Sequence, residues 1–154
     1  MTASRTTEVL ALTALLISTL ASAAATDRPV DRDRLTGVVV APGATTWSSE
    51  NFEEKKGLIS EIAAAEGKTC TDYSFLGWAP GSGGTDVIMP TTRKSFESAG
   101  HAVAQKQGHF PTDTIWTVAK EGREAVILWG AVAGSTIYLS CLTAGTAAEP
   151  GKTP

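Results

Sequence analysis

Apolar positions are densest between Thr114 and Leu142, where they fall into three runs separated by short turns. Thr114–Lys120, Arg123–Ala131 and Thr136–Leu142 each read as a strand. Glu121-Gly122 joins the first two as a two-residue turn, with glycine where positive φ is needed. The second pair joins around Ala133-Gly134-Ser135. Val126, Ile127, Leu128 and Trp129 are too continuously apolar for a half-wet strand. The middle strand is therefore expected inside the sheet with both faces covered.

Upstream, Leu35–Ala41 is a further apolar run, expected to be an internal strand ended by Pro42-Gly43. A helix follows. Ser48 is its expected N-cap, and Trp47 and Phe52 stand at hydrophobic-staple spacing. Glu50, Glu53 and Glu54 lie near the positive end of its dipole. Leu58, Ile59, Ile62 and Ala63 form the buried stripe, and Gly67 ends the helix as a C′ residue.

Thr71–Trp78 reads as a strand, and Ala79–Gly84 as a flexible loop. Val87-Ile88-Met89 reads as a short strand before Pro90. Thr91 or Thr92 then caps a second helix reaching about Gln107, with Phe96, Ala99, Gly100 and Val103 on its apolar face. His101 falls away from that face and is expected to be exposed. The order predicts an α+β fold: a single small domain over residues 35–142, with a mixed or antiparallel sheet of five to six strands. Both helices are expected on one face, and the chain closes in a three-strand meander.

The two ends differ from this core. Met1–Glu8 is a polar stretch containing Arg5, and Val9–Leu20 is apolar apart from Thr13, Ser18 and Thr19. Ala21-Ser22-Ala23-Ala24-Ala25 supplies small residues for cleavage, so residues 1–23 read as a signal peptide. The apolar run is short for a bilayer span, so no stable membrane span is expected after cleavage. Residues 24–34 are charged, aperiodic and contain Pro29, and read as a linker. Residues 143–154 are small and polar with two prolines, and read as a disordered tail.

Export changes the meaning of the two cysteines. In an oxidising compartment Cys70 and Cys141 are expected to form a disulfide between the last strand and the start of the Tyr73–Trp78 strand. The net charge of −3 speaks against nucleic acid as a partner, because phosphate binding needs a clustered positive field. No CxxC is present and neither histidine lies near a cysteine, so no metal is expected.

Candidate chemistry is sparse. Gly81-Ser82-Gly83-Gly84 lacks the lysine of a phosphate-binding loop, no helix is expected to start directly after it, and no cofactor is expected. A serine–histidine–aspartate hydrolase would have to use His101 or His109, the two histidines, with Asp72, Asp86 or Asp113 to orient the ring. No GxSxG elbow supports it. Arg93 and Lys94 oppose the dipole of the second helix and, with Trp78 and Asp86, flank the glycine loop. These four residues are the candidate binding rim. The leading reading is an exported, periplasmic, non-catalytic domain that binds a protein or envelope component. The alternatives are a small exported hydrolase, and a structural subunit of an envelope assembly that uses a free sheet edge.

Overall fold

Two hairpin turns set the centre of the sheet. Glu121 and Gly122 have φ of 51° and 75°, and Ala133 and Gly134 have φ of 49° and 81°. Positive φ at both central residues gives type I′ turns, whose twist matches that of the flanking strands. The computed structural model describes residues 28–47 and 51–144. The expected signal peptide, the Ser48 cap and all but Thr143 and Ala144 of the expected tail lie outside the described residues.

The elements are β1 (Thr45–Thr46), α1 (Phe52–Ala65), β2 (Cys70–Trp78), α2 (Thr85–Ser98), β3 (Ala102–Gln107), β4 (Thr114–Lys120), β5 (Arg123–Val132) and β6 (Ser135–Thr143). They form one α+β domain with a six-stranded sheet in the order β1-β2-β6-β5-β4-β3. Every neighbouring pair is antiparallel. The C-terminal meander is β4-β5-β6, as the turns predict, and β5 is internal. The long return from β2 to β6 places the last strand beside an early one.

Both faces of the sheet are covered, but by different helices. Along β5, Ala125, Ile127 and Trp129 enter one apolar cluster, and Val126 and Leu128 enter another. This alternation follows from the two-residue period of a strand. The first cluster is closed by Ile88 and Phe96 of α2 and by Val38, Val40, Ala41 and Ala44. The second is closed by Ile59, Ile62 and Ala63 of α1. The expectation of both helices on one face is thus corrected, and the doubly buried β5 gives the physical reason. A four-residue apolar run can be sheltered only if each face has its own cover.

On the α2 face each of four strands contributes one aromatic: Trp78, Trp116, Trp129 and Tyr138. Trp129 is their hub. It stacks on Trp78 at 5.8 Å and meets Trp116 and Tyr138 edge-on at 5.0 Å each. Such pairs contribute about 0.5–1.5 kcal/mol each beyond the burial of their area.

Three local readings differ from the expectation. Leu35–Ala41 is not a strand. Gly37, at φ 71°, turns it back on itself, leaving only a single bridge between Arg32 and Val39. Leu35, Val38, Val40 and Ala41 are buried as loop residues over the sheet, whose internal places are filled by β5 and β6, and Val39 is exposed. Val87–Met89 is not a strand but lies early in α2, which starts after Gly84. Pro90 removes one helical N–H, and the Ile88–Thr92–Phe96 stripe at four-residue spacing, buried in the core, outweighs that loss. The second helix ends nine residues earlier than expected. Gly100 at φ 84° donates to Glu97, and His101 N donates to the Phe96 carbonyl at 3.0 Å, a Schellman stop with glycine at C′. Val103 is therefore on β3. The α1 stop at Gly67 has the same form, with Lys68 N donating to Ala63 O at 3.0 Å.

The cysteines form the disulfide, with Cα atoms 5.5 Å apart and a sequence separation of 71. It sits at an irregularity of the β2–β6 ladder between Cys70 and Asp72. Arg28–Arg34, read above as linker, pairs with the domain through Pro29–Thr45 and Arg32–Val39 bridges. Thr143, the first residue of the expected tail, is buried within β6.

Both sheet edges carry blocking features. Pro29, which has no N–H, runs outside β1, and Arg34 reaches across β2 to Asp72 at 2.7 and 2.9 Å and to the Tyr73 carbonyl. That pairing raises the Arg34 pKa and lowers that of Asp72, the hydrogen bond between them being the main cause. On β3, Lys106 pairs with Glu66 and Arg93 reaches Gln105 at 3.0 Å. Charge and proline at an edge discourage addition of another strand.

Candidate functional site

At the end of the sheet where β2 stops and the β5–β6 hairpin turns, three chain segments enclose an open cleft of about 390 Å³. Trp47, Trp78, Pro80, Val132, Thr136 and Ile137 line it, and none of the lining residues is charged. Its construction follows from local chemistry. Gly77 lies opposite Ile137 across the β2–β6 ladder, which leaves room above the backbone. Pro80 turns the chain away after β2 and lies over the hairpin tip, where a Cβ added at Gly134 would meet it at 3.7 Å. The Thr85 and Thr136 hydroxyls, 3.1 Å apart, tie the start of α2 to one wall. Val132 is 55 % exposed at the mouth, and Val87, on the first turn of α2, is 56 % exposed.

Trp47 forms the outer wall. Its backbone N–H donates to the Phe75 carbonyl at 3.0 Å, and the Lys55 ammonium lies 4.4 Å from the ring centroid. Trp78 forms the floor. It is almost wholly buried, and its Nε1 donates to the Ala41 carbonyl at 3.0 Å. The lining presents an uncharged hollow with hydroxyls at its side, suited to an apolar or aromatic side chain rather than to an ion.

Of the four residues expected to form a rim, Trp78 lines this cleft from beneath. Asp86, Arg93 and Lys94 are carried by α2. Asp86 and Lys94 are exposed. Arg93 is occupied: it donates to Glu97 at 2.8 Å and to Gln105 at 3.0 Å, and its guanidinium lies 6.0 Å from the Trp116 ring. The structure therefore places Trp78 in the floor and the three charged residues along a helix outside the lining. Trp47, Pro80, Val132 and Ile137 were not singled out by sequence. They come from three segments, the chain after β1, the chain after β2 and the β5–β6 hairpin, whose meeting depends on the strand order.

Among the described residues no hydrogen bond joins either histidine side chain to a serine or an aspartate. His101 is not an exposed helix residue. It follows the α2 stop, stands edge-on to Phe96 at 5.3 Å, and its Nδ1 is buried without a hydrogen-bond partner. Burial lowers its pKa below the ordinary value, and Lys120 nearby lowers it further. His109 is exposed. No group of three or more histidine, cysteine, aspartate or glutamate side chains among the described residues is placed to hold a metal ion. No described helix is long and apolar enough to cross a membrane.

Searches against protein-family models, curated proteins and solved structures returned no match.

Proposed function

We propose that this chain is an exported domain, periplasmic or secreted, that binds a protein or envelope component without catalysis, and that the partner seats an apolar side chain in the cleft between Trp47, Pro80 and Val132. The observation that carries this reading is the cleft itself: a concave, uncharged hollow bounded by half-exposed Val132. Small soluble domains usually keep such apolar surface to engage something. The disulfide and the leader support export. The hydrolase reading has less support, because among the described residues no serine or aspartate is hydrogen-bonded to either histidine side chain. Strand addition has less support as well, because both edges carry blocking features.

The experiment is capture of partners from an envelope extract by the oxidised protein and by Val132→Asp. Val132 is exposed enough for the substitution to leave the fold intact, and a charge at the mouth opposes apolar docking. The wild-type chain is expected to retain a discrete partner that the variant loses by at least about tenfold, about 1.4 kcal/mol. Equal capture by both would remove the cleft from the function. Turnover of a general ester or peptide substrate, abolished by His101→Gln or His109→Gln, would favour the enzyme instead.

A further inference from the structure

At the end of the sheet remote from the hairpin cleft, the β4–β5 turn borders a second cavity, of about 180 Å³. The turn sets Lys120 directly opposite Arg123 in the ladder. Val118 and Ala125, two residues further along each strand, both enter the apolar cluster on the α2 face. By the two-residue period of a strand the two cations project to that same side. Like charges placed directly opposite each other weaken a strand pair. Among the described residues neither cation is in an ion pair.

Main-chain carbonyls steer both cations instead. The Lys120 side chain passes beside Gly100, and its Nζ donates to the Ala99 carbonyl at 2.8 Å, at the negative end of α2. An Arg123 Nη lies 3.5 Å from the Leu35 carbonyl. A carbonyl positions a cation without neutralising it, and most donors of the ammonium and the guanidinium stay free. His101, just past the α2 stop, is the third basic group of the lining. Burial and then the Lys120 charge lower its pKa, so the field of Lys120 reaches the ring.

Two glutamates also line the cavity. Glu124 is paired with Lys68 at 2.8 Å, and Glu121 is exposed on the turn. Two cations therefore face one unpaired carboxylate, and the balance of the lining is positive. The rest of the wall is apolar, with Leu35, Val118 and Ala125 buried. The volume falls below the roughly 300–1,000 Å³ of pockets for drug-sized ligands, so the occupant is smaller.

We propose that this cavity binds a small monocarboxylate, with its carboxylate between Lys120 and Arg123 and a short hydrocarbon part against Leu35, Val118 and Ala125. The anion relieves the repulsion of the facing cations and accepts charge-assisted hydrogen bonds from both. Inorganic phosphate suits the site less, because it would lose water against an apolar wall that returns no hydrogen bond. The site lies apart from the hairpin cleft and does not depend on what that cleft binds.

The test is an NMR titration of the oxidised full chain with sodium butyrate, inorganic phosphate or neutral butyramide, at constant ionic strength in chloride. Butyrate is expected to shift the Lys120, Arg123 and Ala125 amides and the His101 ring with one saturating Kd in the millimolar range, as suits about six non-hydrogen atoms. Phosphate and butyramide are expected to bind at least about tenfold more weakly. Bound butyrate should raise the His101 pKa, because a nearby negative charge favours the imidazolium. Arg123 is exposed, so Arg123→Gln keeps the fold, and it is expected to raise the butyrate Kd at least about tenfold. Glu121→Gln, which removes the unpaired carboxylate, is expected to lower it. Equal binding of phosphate or butyramide, an unchanged Kd in Arg123→Gln, or weaker binding in Glu121→Gln would each overturn the proposal.

Discussion

Replacing both cysteines by alanine isolates the contribution of the disulfide. The bond closes a loop of 71 residues in sequence, from the start of β2 to the end of β6. These two strands remain joined through eight registered pairs from Cys70–Thr143 to Trp78–Thr136, so the native structure holds without the crosslink. The loss therefore falls on the unfolded chain, which gains the freedom that the bond had removed. Loop-closure entropy for a ring of this size corresponds to about 4 kcal/mol at room temperature. A small domain has roughly 5–15 kcal/mol of stability in total, so the loss is a large share. Removal of the buried Cys141 sulfur adds a smaller packing term. The assay is urea unfolding of the oxidised, reduced and Cys70→Ala/Cys141→Ala proteins. The last two should agree with each other and lie about 4 kcal/mol below the first. The reduced and doubly substituted chains should also show a somewhat larger m-value, because their unfolded states are more expanded. A difference below about 1 kcal/mol between oxidised and substituted protein would refute the argument. It would mean that the unfolded chain keeps β2 and β6 together without the bond.

Two further outcomes follow from the packing around α2. His101 titrates below its ordinary value because it is buried, so the unfolded chain takes up its proton first as pH falls. Its contribution is present above pH ~6.5, the unfolded value, and is lost as pH falls from there through the lower folded pKa. His101→Gln should flatten that part of the urea midpoint–pH curve, and an unchanged curve would clear His101 of the effect. Phe96 is wholly buried between His101 and Trp116, at 5.3 and 6.3 Å, so Phe96→Ala should cost about 3–5 kcal/mol in urea unfolding.

The legible parts of this protein are those where local chemistry and tertiary demand agree. Glu121-Gly122 admits one kind of turn, and the strands on either side were read at their observed limits or within a residue or two. Gly67 marked the end of α1 because no other nearby residue takes positive φ cheaply. Gly100 carried the same signal for α2, but its place in an apolar-looking helical stripe concealed it. Val87–Met89 and Leu35–Ala41 were misread for one reason: a short apolar run is compatible with strand, helix or buried loop, and only its neighbours decide. The candidate site was legible in one residue, Trp78, and not in Trp47, Pro80, Val132 or Ile137.

The amino-acid sequence alone determined the meander, the stop of α1 at Gly67, the doubly covered middle strand and the pairing of Cys70 with Cys141. Each depends on side chains a few residues apart or on a choice with one partner. Only the tertiary structure decided which helix covers which face, that β6 lies between β2 and β5, and that the Asp31–Ala41 segment folds over the aromatics. The physical reason is range. Turn chemistry and periodicity act within one element, whereas the cleft and the covered aromatic cluster exist only where segments far apart in sequence exclude water from a common surface.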